Sequence, residues 1–144
     1  MKKIEIGKKF KDNNYKFRET CFGIVFDGKD FFLTSKNGEI SLIGGGIEKD
    51  ESHLDCLKRE FIEDSGLTIK DIKEFITIDC FWVTRENKDM ESLANFYIVN
   101  VDKKINEPTE KESKLVKTCM SEITEKIVLP YQKKAIELFL ESLA

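Results

Sequence analysis

The sequence predicts a mixed α/β fold, a single domain over residues 1–144, with strands before and after one mid-chain helix and a second helix near the end. Three observations carry this. Short apolar runs bounded by turn residues recur before and after the middle of the chain. Residues 52–66 switch to helical spacing, and so do the residues after Pro130. The composition, 40% hydrophobic and 35% charged, fits a globular chain rather than a disordered one. A chain of this length buries about two-thirds of its unfolded surface.

Taken in order, residues 1–15 are polar and lysine-rich, with Ile4 and Ile6 alternating as in a short edge strand. Asp12-Asn13-Asn14 signals a turn. Phe17 to Phe26 reads as a strand, and its nearly continuous apolar run from Thr20 suits burial on both faces. Asp27-Gly28-Lys29-Asp30 then reads as a hairpin loop and Phe31 to Thr34 as the returning strand. Asn37-Gly38 marks a second tight turn, and Ile40, Leu42 and Ile43 form a short strand. Gly44-Gly45-Gly46 is expected as a turn, because glycine loses the most entropy on ordering. It also permits close backbone approach to a metal or phosphate.

Ser52 is placed to cap the central helix, with Asp55 as a capping-box acid. Leu54, Leu57 and Phe61 are its expected core stripe, and Gly66 its stop. The segment 67–83 reads as a long strand from the alternation between Ile76 and Phe81. Residues 84–91 read as a charged loop, and Leu93 to Val101 as a further strand. Lys103 to Lys114 is polar, holds Pro108 and is expected as a mobile connection. Leu115 to Met120 is a short strand. Pro130 opens the final helix, where Ala135, Ile136, Phe139, Leu140 and Leu143 supply the apolar stripe.

Several function classes are excluded. A net charge of −3, with lysines interleaved among acids, gives no basic stripe for duplex nucleic acid. No stretch approaches the run of about 18 apolar residues that a transmembrane helix needs. The lysines at the start are followed by no apolar run, so no signal peptide is expected and the cytoplasm is the expected location. Cys21, Cys56, Cys80 and Cys119 are widely separated, lack zinc spacing and are expected to be reduced. His53 is the only histidine, so a relay through two of them has nothing to build on.

The chemistry concentrates in one stretch. Glu60, Glu63 and Asp64 stand at i, i+3 and i+4, and at about 100° per residue their carboxyls share one helix face. By the same count the apolar stripe is centred about 100° away. Like charges so placed weaken an isolated helix. Mg²⁺ or Mn²⁺, which favour oxygen ligands, would turn the repulsion into coordination. A solvated acidic face is the other reading of the acids alone.

The wider pattern separates the two. Gly45, Glu51 and Arg59-Glu60-Phe61-Ile62-Glu63-Asp64-Ser65-Gly66-Leu67 resemble the Nudix box, Gly-x5-Glu-x7-Arg-Glu-U-x-Glu-Glu-x-Gly-U, where U is bulky and apolar. Every fixed position matches except Asp64, which replaces the last glutamate. The resemblance implies a Nudix-type α-β-α sandwich around a mixed sheet, with the box as loop-helix-loop. It implies divalent-metal-dependent hydrolysis of a diphosphate linkage in a nucleotide or nucleoside diphosphate derivative, by water attack at phosphorus. Glu60, Glu63, Asp64 and the Gly44 carbonyl are then the expected ligands of Mg²⁺ or Mn²⁺. Glu60 also orients or deprotonates the attacking water, and Arg59 pairs with Glu51 to hold the loop against the helix. The implied partner is a small-molecule nucleotide, with a homodimer left open. The alternative is a catalytically weak nucleotide-binding regulatory module of the same fold. Departures from the family pattern are Asp64, Ile43 for a frequent proline, Asp50 for a frequent glycine, and Ile40 for a frequent tryptophan. Phe81, Trp82 and Tyr97 are aromatic residues available to stack on a base, with the core as their commoner fate. Glu86, Asp89, Glu91, Glu110 and Glu112 are candidates for one further acid.

Overall fold

The computed structural model describes residues 1–104 and 106–144. Its elements are β1 (Lys3–Ile6), β2 (Lys16–Phe26), β3 (Asp30–Lys36), β4 (Glu39–Ser41), β5 (Ile43–Gly46), α1 (His53–Ser65), β6 (Leu67–Val83), β7 (Asp89–Lys104), β8 (Ser113–Cys119), α2 (Ile123–Lys126) and α3 (Pro130–Ser142). The sheet is mixed, as expected for the α/β class, and β2 is its hub. Thr20 to Val25 are buried without a break. Along one edge β2 runs parallel to β7, with Thr20 opposite Ala94 and Gly23 opposite Tyr97. Its other edge pairs antiparallel first with β5 and then with β3. A strand with neighbours on both sides and apolar cover on both faces must be apolar nearly throughout, which explains its sequence.

β6 pairs antiparallel with β7, and β1 lies parallel on β6 as the edge strand its alternation predicted. β3 carries β8 along one side and β4 along the other. Two apolar cores lie on opposite faces of this sheet. One joins Phe22, Ile24, Leu33 and Phe96 to Tyr131, Ala135, Ile136 and Phe139 of α3. The other joins Cys21, Val25, Ile43 and Val99 to Cys56, Leu57 and Phe61 of α1. This is a helix-sheet-helix sandwich.

Several expectations change. Gly44 to Gly46 lie in a strand rather than a turn, with Cys21 opposite Gly45 and Phe22 opposite Gly44. Glycine is required by close approach here: a Cβ on Gly44 would stand 2.1 Å from the Cys21 carbonyl oxygen, and its φ is +151°. Leu54 is 39% exposed, and Cys56 takes its place in the core. The buried arc of α1 runs through Cys56, Glu60, Asp64, Leu57, Phe61 and Ser65. Two of the three acids therefore lie within the buried face rather than apart from it, and Leu54, although on that side, sits in the exposed first turn. Leu143 is exposed and caps α3 instead of packing. β6 spans Leu67–Val83 as read from the sequence, with irregular pairing before Ile76, whereas the loop expected over residues 84–91 is shorter because β7 already begins at Asp89.

The connection expected to be mobile includes Ile105, which lies outside the described residues. Beyond it, the Thr109 and Glu110 amides donate to the Ile62 and Glu63 carbonyls at 3.4 and 2.9 Å. The Glu110 amide thereby gives the Glu63 carbonyl at the end of α1 a partner, while the Ile62 carbonyl also accepts from the Gly66 amide at 3.2 Å. The four-residue α2 carries no strong sequence signal and was not expected. Among the described residues, no helix is long and apolar enough to cross a membrane.

Candidate active site

α1 begins and ends where its caps predict. The Ser52 side chain accepts a hydrogen bond from the Asp55 amide at 3.1 Å, and Gly66 takes the left-handed conformation at φ 72°. Between these caps Phe61 is fully buried against the sheet and anchors the helix. That fixes the direction in which Glu60, Glu63 and Asp64 project.

The Glu60 carboxylate lies directly on the β5 backbone. A Cβ on Gly45 would stand 2.6 Å from Glu60 Oε1, so the missing side chain is the space this acid occupies. Glu60 is only 7% exposed. Burial, and then the charge of Asp64, push its pKa above the usual carboxylate range. Burial followed by Glu60 does the same to Glu63. Asp64, 1% exposed, is raised by burial, against the lowering pull of Lys36.

Arg59 holds the acids from the loop side. Its Nε and Nη2 donate to Glu51 Oε2 and Oε1 at 2.7 and 2.9 Å, and Nη2 also donates to the Gly46 carbonyl at 3.0 Å. Nη1 reaches Glu60 Oε1 at 3.0 Å and Glu63 Oε2 at 3.2 Å. The expected Arg59–Glu51 pair is thus present, and it lowers the Glu51 pKa to about 2. Glu48 Oε1 stands 3.7 Å from the same Nη1, a further acid the sequence did not single out.

Lys36 was also not anticipated. Its Nζ stands 3.0 Å from Asp64 Oδ1, while the Gly44 amide donates to Oδ2 at 3.4 Å. With Arg18, Gly44, Gly45, Glu60 and Gln132, Lys36 lines a cleft of about 150 Å³. These residues come from β2, β3, β5, α1 and α3, so no local spacing could have grouped them. Gln132 Oε1 accepts from the Leu42 amide at 2.8 Å, and its Nε2 donates to Ser41 Oγ at 3.1 Å.

A larger cleft of about 490 Å³ lies alongside, bordered by Glu39, Trp82, Thr84, Arg85 and Glu86 and sharing Leu129 with the first. It contains none of the box acids, whereas Glu60 lines the smaller cleft. Of the candidate aromatics, Phe81 and Tyr97 are core residues, whereas Trp82 borders this second cleft with Nε1 donating to Ser92 Oγ at 2.9 Å. Tyr97 Oη meets His53 Nδ1 at 2.6 Å, tying the first turn of α1 to β7. Among the further acids, Glu110 acts on Glu63 and raises its pKa, Glu91 pairs with Asp79 away from the site, and Glu86 borders the larger cleft.

The donor set is all oxygen, which suits a hard divalent cation. Among the described residues no three acids converge on one point. Glu60 and Glu63 nevertheless aim at one point, now held by a guanidinium nitrogen at 3.0 and 3.2 Å. A positive group seated between two carboxylates marks where a cation fits.

A family model described as NUDIX domain matches residues 16–137. Among solved structures, the chain resembles a NUDIX hydrolase from Nitrosomonas europaea at TM-score 0.70 and 14% identity, covering 88% of this chain and 90% of that one. It resembles an ADP compounds hydrolase at TM-score 0.63 and 18% identity, covering 88% and 72%. A structure from work on MutT of Aliivibrio salmonicida and Vibrio cholerae aligns at TM-score 0.60 and 19% identity, covering 85% and 99%. No curated protein matches the chain.

Proposed function

The chain belongs to the NUDIX family and is a Nudix hydrolase, and from that premise we infer that it cleaves a diphosphate linkage in a nucleotide or nucleoside diphosphate derivative. The observation that carries this reading is the Glu60 carboxylate, seated on the Gly45 backbone in a cleft that also holds Arg18 and Lys36. A diphosphate brings negative charge, and a cleft with two cationic side chains beside acids is suited to receive it.

Glu60 and Glu63 are the residues that would hold Mg²⁺ or Mn²⁺. When bound, the ion supplies positive charge to the diphosphate oxygens and acidifies the attacking water. Glu60 accepts the water's proton. Its carboxylate lines the cleft, where a proton acceptor for that water is needed. Arg59 keeps one Glu60 oxygen and one Glu63 oxygen at fixed positions, and Glu51 fixes Arg59 in turn. Arg18 and Lys36 orient the phosphates, so that attack needs mainly positioning and charge stabilisation.

The test is purified protein with Mg²⁺ or Mn²⁺ against nucleoside triphosphates, ADP-ribose, dinucleoside polyphosphates and sugar nucleotides. The neighbour named as an ADP compounds hydrolase makes ADP-linked diphosphates a natural start. Turnover of at least one substrate is expected. Tight binding of a panel member with no turnover of any would overturn the reading in favour of a nucleotide-binding module.

A further inference from the structure

The cleft that Glu60 lines has a volume of about 150 Å³. Sites that take a whole small-molecule ligand run to about 300–1,000 Å³. The smaller cleft therefore has room for only part of a nucleotide substrate, and the group joined to the diphosphate must lie beside it. The neighbouring cleft of about 490 Å³ offers that space.

The two clefts are halves of one groove. Leu129 lines both. At the start of α3, Pro130 borders the larger cleft while Tyr131 and Gln132 border the smaller. β4 divides in the same way, with Glu39 in the larger and Ser41 in the smaller. Tyr131 and Trp82 meet at the join, their ring centroids 6.0 Å apart and their planes at 57°.

Trp82 supplies the aromatic surface of the larger half. It stands near the end of β6, opposite Met90 of β7, and packs against the core that α3 covers. Its hydrogen bond to Ser92 Oγ and its contact with Tyr131 hold the indole in place before any ligand arrives. The side chain is only half-buried, so ring surface remains to be covered. A preset aromatic plane loses little freedom when a second ring stacks on it. Around it stand Glu39, Glu86 and Arg85. Carboxylates only accept hydrogen bonds, so two acids favour a ring whose edge donates. Adenine, guanine and cytosine carry an exocyclic amino group, whereas uracil carries carbonyl oxygens and one N–H.

We propose that the larger cleft seats the nucleobase of the substrate, stacked on Trp82, with Glu39 and Glu86 favouring a base that carries an exocyclic amino group. The inference rests on the diphosphate cleavage put forward under the proposed function, and it names the group attached to that diphosphate. Trp82 is then a specificity-determining residue that touches substrate away from the reacting atoms.

Trp82 is the single tryptophan of the chain, so its fluorescence reports on this cleft directly. The wild type with Mg²⁺ is titrated with the non-hydrolysable α,β-methylene analogues of ADP, GDP, CDP and UDP, and with methylenediphosphonate as the control without a base. The analogues that carry a base are expected to quench the emission saturably, and methylenediphosphonate to leave it unchanged. The UDP analogue should bind about 2–10-fold more weakly than the others, the scale of one hydrogen bond. By calorimetry, Trp82→Ala should weaken the tightest analogue by about tenfold or more, the scale of stacking between a base and an aromatic side chain. Trp82→Phe should recover most of that loss. Unchanged emission with an analogue that calorimetry shows to bind would overturn the inference, as would equal quenching by methylenediphosphonate. Equal affinity for all the analogues would overturn the part given to Glu39 and Glu86. The wild-type emission decides the matter should Trp82→Ala not fold. Turnover of a nucleotide with unchanged emission overturns this inference alone, whereas neither binding nor turnover of any nucleotide overturns the proposed function and this inference with it.

Discussion

Arg59 and Glu51 form a two-point pair, Nε to Oε2 at 2.7 Å and Nη2 to Oε1 at 2.9 Å, across the loop that leads into α1. The fork makes the contact more than an ion pair, because it fixes the plane of the guanidinium and hence where Nη1 meets Glu60 and Glu63. Lysine keeps the charge and loses the plane. Arg59→Lys is expected to lower kcat by about 10–100-fold, the range typical of partners that orient metal ligands. Its Mg²⁺ requirement should also rise. Initial rates across a Mg²⁺ series check both, and a wild-type profile would refute the orienting role.

The same pair sets a pH dependence. Arg59, followed by the Glu48 backbone, lowers the Glu51 pKa from 4.5 to about 2 in the folded protein. Between these values the unfolded chain binds more protons, so the pair's contribution to stability rises with pH across that window. It is fully present above pH 4.5 and lost as the pH falls towards 2. The melting-temperature difference between wild type and Glu51→Gln should be largest above pH 4.5 and shrink towards zero near pH 2. A difference that stays constant down to pH 2 would contradict this assignment.

Glu60→Gln removes the proton acceptor of the proposed mechanism and leaves the shape. On a substrate identified by the panel, kcat is expected to fall by about 10²–10⁴-fold, the usual scale of general acid–base catalysis. KM should change little. A variant that retains most of the wild-type kcat would assign the base to another residue.

Gly45→Ala tests the seat beneath Glu60. The new methyl would stand 2.6 Å from Glu60 Oε1, so the carboxyl must move. A displacement of about 1 Å in a catalytic group costs on the order of 10²-fold in rate. Steady-state rates at saturating Mg²⁺ should show that loss while circular dichroism stays native.

Phe61→Ala addresses the anchor of α1. The ring is fully buried, and it packs where a Cβ on Gly23 would stand, 2.5 Å from its Cζ. Truncating a buried phenylalanine costs about 3–5 kcal/mol. Urea unfolding should show a lower midpoint with an unchanged slope.

Much of the fold follows from local chemistry. The caps Ser52 and Gly66 bound α1, the unbroken apolar run of β2 marks a central strand, and Asn37-Gly38 turns β3 into β4. What escaped depends on partners distant in sequence. The Gly44–Gly46 strand exists because β2 lies against it and because its bare backbone seats Glu60. Leu54 has the spacing of a core residue, but it lies in the first turn of α1 and stays exposed, while Glu60 and Asp64 share the buried face. The acids and Arg59 of the site are legible because they share one helix and its loop. Lys36, Arg18 and Gln132 reach it from other elements and carry no local signature.

Gln132 has a consequence for how the molecule is made. Its side chain accepts from the Leu42 amide 90 residues earlier and donates to Ser41, just where the chain turns into the glycine strand. During synthesis, α1 and its acids leave the ribosome well before α3 does. The cleft stays open at that corner until residue 132 has emerged, so a nascent chain can carry every box residue and still lack a finished site.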